Sequence, residues 1–231
     1  MDNTPIAICV IPEVTENFKN GDESAGGVHT ARFVSINYMD YKTPATGSKE
    51  AQVMYFGNYG TTIGNVKGGI DKTSYIGGKW NTQQCLSKTA NQDPYIYAGV
   101  TSNEGEGYCA PACCCVAYST PGTKSGDWYL PMPGELYQIY ANKAAINEKR
   151  TAIKGSGFYD GSYWSSREDS SNYEYFVVLI AEVDATITEK DIVLKVTRVL
   201  STTPITVDIE TTTFYSSSLF IYSCFVRINL I

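Results

Sequence analysis

The sequence predicts an α+β fold with mixed or antiparallel strands, one principal helix over about 134–149 and long irregular loops. Three features predict it. Beyond Gly155 the hydrophobic pattern runs with a period of two, as strands require. A single long run, Glu135 to Lys149, is made of good helix formers without Gly or Pro. From Asp40 to Tyr108 the chain is dominated by Gly, Thr, Ser, Asn and Tyr, which reads as loops and short strands around anchors such as Trp80.

Taken in order, Ile6 to Ile11 reads as a buried strand closed by Pro12, and Glu13 to Gly27 as a polar surface loop. Ala31 to Ile36 alternates as a second strand with Arg32 and Phe33 on opposite faces. Pro131, Pro133 and Gly134 precede the helix, whose Leu136, Ile139, Tyr140 and Ile146 fall near one face. Glu135 in its first turn and Lys149 and Arg150 in its last both suit the helix dipole. Tyr175 to Val183 is a nearly continuous apolar run, consistent with a central strand. Ile205, Val207 and Ile209 alternate with Thr206, Asp208 and Glu210. Phe220, Tyr222, Cys224, Val226, Ile228 and Leu230 share a face, so the chain is expected to end inside the sheet. The expectation is a single domain over 1–231, loop-rich over about 40–108 and strand-rich over about 156–231.

Composition narrows the function classes. With 43% hydrophobic and 18% charged residues, the 231-residue chain belongs with globular proteins and not with disordered ones. Its 18 tyrosines against 8 phenylalanines serve strands, and they also supply the rigid, polar-tipped contact area of recognition surfaces. A net charge of -6 without a basic run argues against nucleic acid. No stretch reaches the ~18 apolar residues of a membrane span. The N-terminus has neither a positive leader region nor an apolar run long enough for export, so synthesis and folding in a cytoplasm are expected. Seven cysteines, an odd number, then read as mostly reduced thiols.

The cluster Cys109-Ala-Pro-Ala-Cys113-Cys114-Cys115 invites a metal reading, yet no second knuckle accompanies it and His29 is the sole histidine. In an extended chain Cys114 would point away from Cys113 and Cys115. Buried core thiols are the expectation, with a local disulfide as the other reading, and neither a metal nor a cofactor is expected. His29 follows Gly26 and Gly27 at the start of a strand, where a hydrogen-bonding role is commoner than catalysis. Glu104 and Glu106, and the adjacent Glu168 and Asp169, read as solvated loop carboxylates. Gly57, Gly60 and Gly64 lack the Lys-Ser/Thr of a phosphate loop. No active site emerges, and the chain is expected not to be an enzyme.

Two stretches carry a resemblance: Gly126-Asp-Trp-Tyr-Leu-Pro-Met-Pro-Gly-Glu-Leu136 and Gly161-Ser-Tyr-Trp-Ser-Ser-Arg-Glu168. They resemble the Trp-Tyr-Leu-Pro...Gly-Glu-Leu and Tyr-Trp-Ser-Ser-x-Glu signatures of C-type-lectin-like domains in gut anaerobes and their phages. That group is similar to the formylglycine-generating-enzyme branch of the lectin fold and includes the variable proteins of diversity-generating retroelements. Ala112 to Thr123, Ala7 to Pro12, His29 to Phe33 and the closing Phe225-Val226-Arg227 resemble further segments of these proteins. Two features depart from the group: more chain lies between Val183 and Phe214 than its short form needs, and the calcium motifs of animal lectins are absent. No cysteine pair matches that of the oxidases.

The resemblance implies a C-type-lectin-like fold in which Trp128 and Trp164 are scaffold and the ligand surface comes from side chains between such anchors. Here that points to Arg167, Asp169, Asn172, Tyr173, Glu174 and Tyr175, and to Tyr215, Ser217, Leu219, Ile221 and Ser223. It implies a virion-displayed receptor-binding or decoration protein that binds a bacterial cell-surface glycan or protein. Its partners would be other virion proteins and further copies of itself, a trimer by analogy. A purely structural virion component and a bacterial surface lectin or adhesin are the alternatives.

Overall fold

A computed structural model describes residues 7–11, 31–35, 53–57, 60, 62–64, 77–89, 109–120, 123–153, 161–170, 173–178, 185–189, 193–195, 199–202, 208–213 and 222–227. Two sheets and four helices are present among them. The first sheet contains β1 (Ala7–Ile11), β2 (Ala31–Ser35), β4 (Trp128–Tyr129), β9 (Val199–Thr202), β10 (Asp208–Thr213) and β11 (Tyr222–Arg227). Their order is β10-β11-β1-β2-β9-β4, and every pairing is antiparallel. The second contains β3 (Val53–Tyr55), β5 (Ser162–Glu168), β6 (Tyr173–Val178), β7 (Ala185–Glu189) and β8 (Val193–Lys195), in the order β3-β8-β5-β6-β7. It is mixed, because β5 runs parallel to β8 while its other pairings are antiparallel.

The helices are α1 (Gly78–Ser87), α2 (Ala110–Ala117), α3 (Pro133–Ala141) and α4 (Lys143–Ala152). Helix α1 lies in the stretch read from sequence as loops and short strands. Its buried face is Gly78, Asn81, Thr82 and Cys85, a helical i, i+3, i+4, i+7 spacing carried by small and polar residues. Hydrophobic periodicity could not register it. Helix α2 replaces the extended cysteine segment, with Pro111 in the first turn, where its missing N–H costs nothing.

The single helix expected over 134–149 is two. Asn142 interrupts it with φ -104° and ψ 10°, and its Nδ2 donates to the Gln138 carbonyl at 2.9 Å. A short amide side chain that bonds a nearby carbonyl competes with the helical ladder, which is why Asn weakens helix interiors. The Asn142 N–H still reaches the Gln138 carbonyl at 3.2 Å, and the Ile146 N–H takes up the ladder on the Asn142 carbonyl at 2.9 Å. The apolar positions Leu136, Ile139 and Ile146 are buried despite the break, and Tyr140 packs beside them.

Two clusters form the core. One joins Cys85 of α1, Cys109, and Ala112, Cys114 and Cys115 of α2 to Phe56, Ile63, Leu130 and Trp164. The other joins Val34, Tyr129 and Tyr163 to Leu136, Tyr137 and Ile139 of α3 and Ile146 of α4. Neighbouring residues divide between them: Tyr129 against Leu130, and Tyr163 against Trp164. Alternation along an extended chain sends successive side chains to opposite faces, so these two segments are buried on both sides. Arg150, expected only to complement a helix dipole, is 1% exposed and donates from Nη2 to the Ser35 carbonyl, tying α4 to β2.

Leu136→Ala deletes a fully buried side chain where α3 meets the strands. It should cost about 2–5 kcal/mol of unfolding free energy in a urea titration. The exposed Glu148→Ala should change it by less than about 0.5 kcal/mol.

Candidate ligand-binding face

The first signature stretch folds as a chain of anchored steps. Gly126 sits at φ 93°, a conformation that favours glycine, and donates its N–H to the Val116 carbonyl at the end of α2 (2.8 Å). Trp128 is fully buried; its Nε1–H donates to Thr123 Oγ1 at 3.1 Å, and Tyr118 meets its ring edge-on at 5.1 Å. The Leu130 N–H donates to Thr82 Oγ1 at 3.1 Å, and that hydroxyl donates to the Gly78 carbonyl at 2.8 Å.

Glu135 is 2% exposed and closes the stretch. It accepts the Tyr129 hydroxyl on Oε1 (2.5 Å) and the Met132 N–H on Oε2 (2.9 Å). The second bond is the backward half of a capping box, and it satisfies an amide that the start of α3 would otherwise leave open. Gly78 is what lets the carboxylate fit. A Cβ there would stand 2.5 Å from Glu135 Oε2 and 2.8 Å from the Tyr129 ring.

The second stretch is β5. Trp164 is fully buried and meets Phe56 edge-on at 5.3 Å. Trp164 pairs with Phe176 and Glu168 with Glu174, so four steps on β5 match two on β6 and the strand bulges at Ser165 to Arg167. The Ser166 N–H leaves the ladder and donates to the Pro131 carbonyl at 2.8 Å, joining the two signature stretches directly. The Arg167 N–H turns to Ser165 Oγ at 3.2 Å. Glu168, expected to be a solvated loop carboxylate, is a strand residue 1% exposed. It accepts the Ile63 N–H on Oε1 (2.8 Å) and the Gly64 N–H on Oε2 (2.7 Å), roughly a hundred residues away in sequence. Backbone donors here replace the water that a buried carboxylate loses.

The residues expected to form the ligand surface fall into three groups. Arg167 lies on β5, half-buried, with Nη1 donating to the Glu168 carbonyl at 3.2 Å, and Asp169 follows it, exposed. Tyr173, Glu174 and Tyr175 lie on β6 opposite Glu189, Thr188 and Ile187 of β7, so the structure brings them to the same hairpin as Arg167. Ser223 lies on β11 opposite Thr212, in the other sheet. Asn172, Tyr215, Ser217, Leu219 and Ile221 lie outside the described residues, as do His29, Glu104 and Glu106.

Cys85, Cys109, Cys113, Cys114 and Cys115 are all buried, and none of the five forms a disulfide. Burial, reinforced by neighbouring Cys109, pushes the Cys113 thiol up from 9.0 to about 12, against hydrogen bonds from the Cys109 backbone and Thr89 that favour ionisation. Such a thiol is the opposite of an activated nucleophile. Among the described residues, no group of three or more His, Cys, Asp or Glu is placed to hold a metal ion, and no helix is long and apolar enough to cross a membrane.

No protein-family model matches the sequence, and no curated protein does. Among solved structures, a fimbrial protein from Bacteroides ovatus ATCC 8483 aligns with a TM-score of 0.43 and 12% identity. The match covers 85% of this chain and 43% of that one, so the chain spans less than half the length of that fimbrial protein. A likeness at this level carries neither fold nor function across.

Glu168→Gln presents one acceptor and one donor to two backbone N–H groups, and should cost about 1–3 kcal/mol in urea unfolding; an unchanged midpoint would contradict the fork. The Cys113 thiol contributes nothing to pH dependence below pH 9, where folded and unfolded chains both keep the proton. Between pH 9 and about 12 the unfolded chain alone loses it, so stability should fall across that window. Comparing the pH profiles of the wild type and Cys113→Ala should isolate this slope.

Proposed function

We propose that the chain is a non-enzymatic recognition module of the C-type-lectin-like class, displayed on a phage particle. It binds a bacterial cell-surface glycan or protein with two segments, 163–175, which contributes the β5–β6 hairpin, and 214–224. What supports this reading is the division of labour within β5. The residues that carry the resemblance (Tyr163, Trp164, Ser165, Ser166 and Glu168) are all buried, and Arg167 and Asp169 between and beyond them are not. A frame consumed by packing leaves the intervening positions free to vary without loss of fold, which is what a retargetable surface needs. Display in several copies would raise a weak single-site affinity by avidity without any new contact.

The test is binding of the multimerised full chain to a glycan array and to intact cells of gut anaerobes. A combined Arg167→Ala, Asp169→Ala, Tyr173→Ala variant should still unfold cooperatively in a urea titration and lose cell binding. Binding that survives this variant and scrambling of 214–224 would sink the recognition reading. An assembled particle in which both segments are covered by neighbouring chains would replace it with a purely architectural role.

A further inference from the structure

We propose that helix α2 gates folding by redox state: the chain reaches this fold only with the thiols of Cys109, Cys113, Cys114 and Cys115 reduced, and once folded it shields them from the oxidant that would have blocked it. The four sulfurs occupy one short helix and its N-cap, and all are buried. Successive helical residues point about 100° apart, so Cys113, Cys114 and Cys115 diverge and cannot pair while α2 is helical. Cys109 and Cys113 are one turn apart, held there by the Cys113 N–H donating to the Cys109 carbonyl at 3.1 Å. Cys109, the N-cap, is itself outside the helical conformation (φ -134°, ψ 85°), and a bridge from it would have to draw together sulfurs that are each held in the packed interior. A bridge among Cys113, Cys114 and Cys115 therefore unwinds α2, and one from Cys109 must rearrange the buried N-cap turn.

Unwinding α2 is not a local event. Cys109, Cys114 and Cys115 share a cluster with Cys85, Leu130 and Trp164, and the C-terminal end of α2 holds Gly126 through the Val116 carbonyl. A close-packed interior has no room for a rearranged turn. In the unfolded chain three to five residues separate Cys109 from Cys113, Cys114 and Cys115, near enough to meet them, while the consecutive cysteines can close only strained rings with one another but remain open to mixed disulfides. Their thiols then ionise ordinarily and are open to a small disulfide oxidant such as oxidised glutathione. One protein thiolate attacks the glutathione S–S bond and releases glutathione, leaving a mixed disulfide. A second protein thiolate displaces the remaining glutathione. Two protein thiols thus give up two electrons and two protons, one protein S–S bond forms, and oxidised glutathione is reduced to two glutathione thiols. In the folded chain burial keeps Cys113 protonated and the thiols of Cys85, Cys109, Cys113, Cys114 and Cys115 out of reach.

The experiment dilutes urea-unfolded, reduced full-length chain into buffer containing either a phosphine reductant or oxidised glutathione. Refolding is followed by the fluorescence of buried Trp128 and Trp164, and disulfides are mapped by mass spectrometry. Full recovery is expected with the reductant, and loss of recovery with the oxidant. The unfolded fraction should carry disulfides or glutathione adducts at Cys109 to Cys115, while protein folded beforehand and given the same oxidant should keep its fluorescence and those thiols. Equal recovery in both buffers would overturn the proposal. So would failure traced only to Cys9 or Cys224, or a Cys109–Cys113 disulfide in protein that stays folded. A variant with Ala at the four positions, if it folds with reductant, must also recover fully with oxidant, and failure to do so would overturn the proposal. Should that variant not fold at all, the wild-type disulfide map decides alone.

Discussion

Two carboxylates taken out of water set the terms for the rest of this structure. Glu135 and Glu168 are almost wholly buried, and a buried carboxylate is tolerable only where fixed donors replace its hydration. Each oxygen of each group has one: Tyr129 Oη and the Met132 amide for Glu135, the Ile63 and Gly64 amides for Glu168. Those donors come from β4, the start of α3 and a distant loop. Satisfying the charges therefore fixes where these elements lie. The Ser166 to Pro131 bond couples the two forks, because it ties the strand that carries Glu168 to the turn that presents Glu135.

Apolar packing fills the frame that these bonds define. Tyr129 and Tyr163 face one cluster, and Leu130 and Trp164 the other, so both signature segments act as partitions between two cores. A substitution there would be felt on both sides. The bulge at Ser165 to Arg167 follows from the same constraint: with Ser166 turned to Pro131 and Glu168 held by its fork, the intervening backbone cannot stay in register with β6. Arg167 is held between two anchored neighbours. A side chain presented from a rigid backbone loses less freedom on binding, which is the physical merit of such a position for recognition.

Much of this frame was legible in the sequence, and the illegible parts share a cause. Strong apolar patterns located β1, β2 and the inward positions Leu136, Ile139 and Ile146, and the two signature stretches marked Trp128 and Trp164 as scaffold. Helix α1 escaped because its buried face is Gly78, Asn81, Thr82 and Cys85, whose worth lies in close approach and hydrogen bonding. Glu168 read as solvated because its donors lie about a hundred positions away. Arg150 read as a dipole partner because the Ser35 carbonyl it meets is equally remote. The break at Asn142 escaped because a single residue at φ -104° and ψ 10° leaves no mark on helix propensity averaged over the run. Sequence patterns report transfer from water well, and polar satisfaction across the fold poorly. The ligand face is legible only as the positions that scaffolding does not claim.

The central claim is that the buried carboxylate forks hold the signature segments in place, and native-state hydrogen exchange tests it most directly. The amides of Ile63, Gly64, Met132 and Ser166 lie in loops, at a strand bulge and at a helix start, where exchange is ordinarily fast. The account predicts that all four exchange only through global unfolding, with the same free energy as the core amides of β5. Rapid exchange of the Ile63 and Gly64 amides in otherwise folded protein would contradict it.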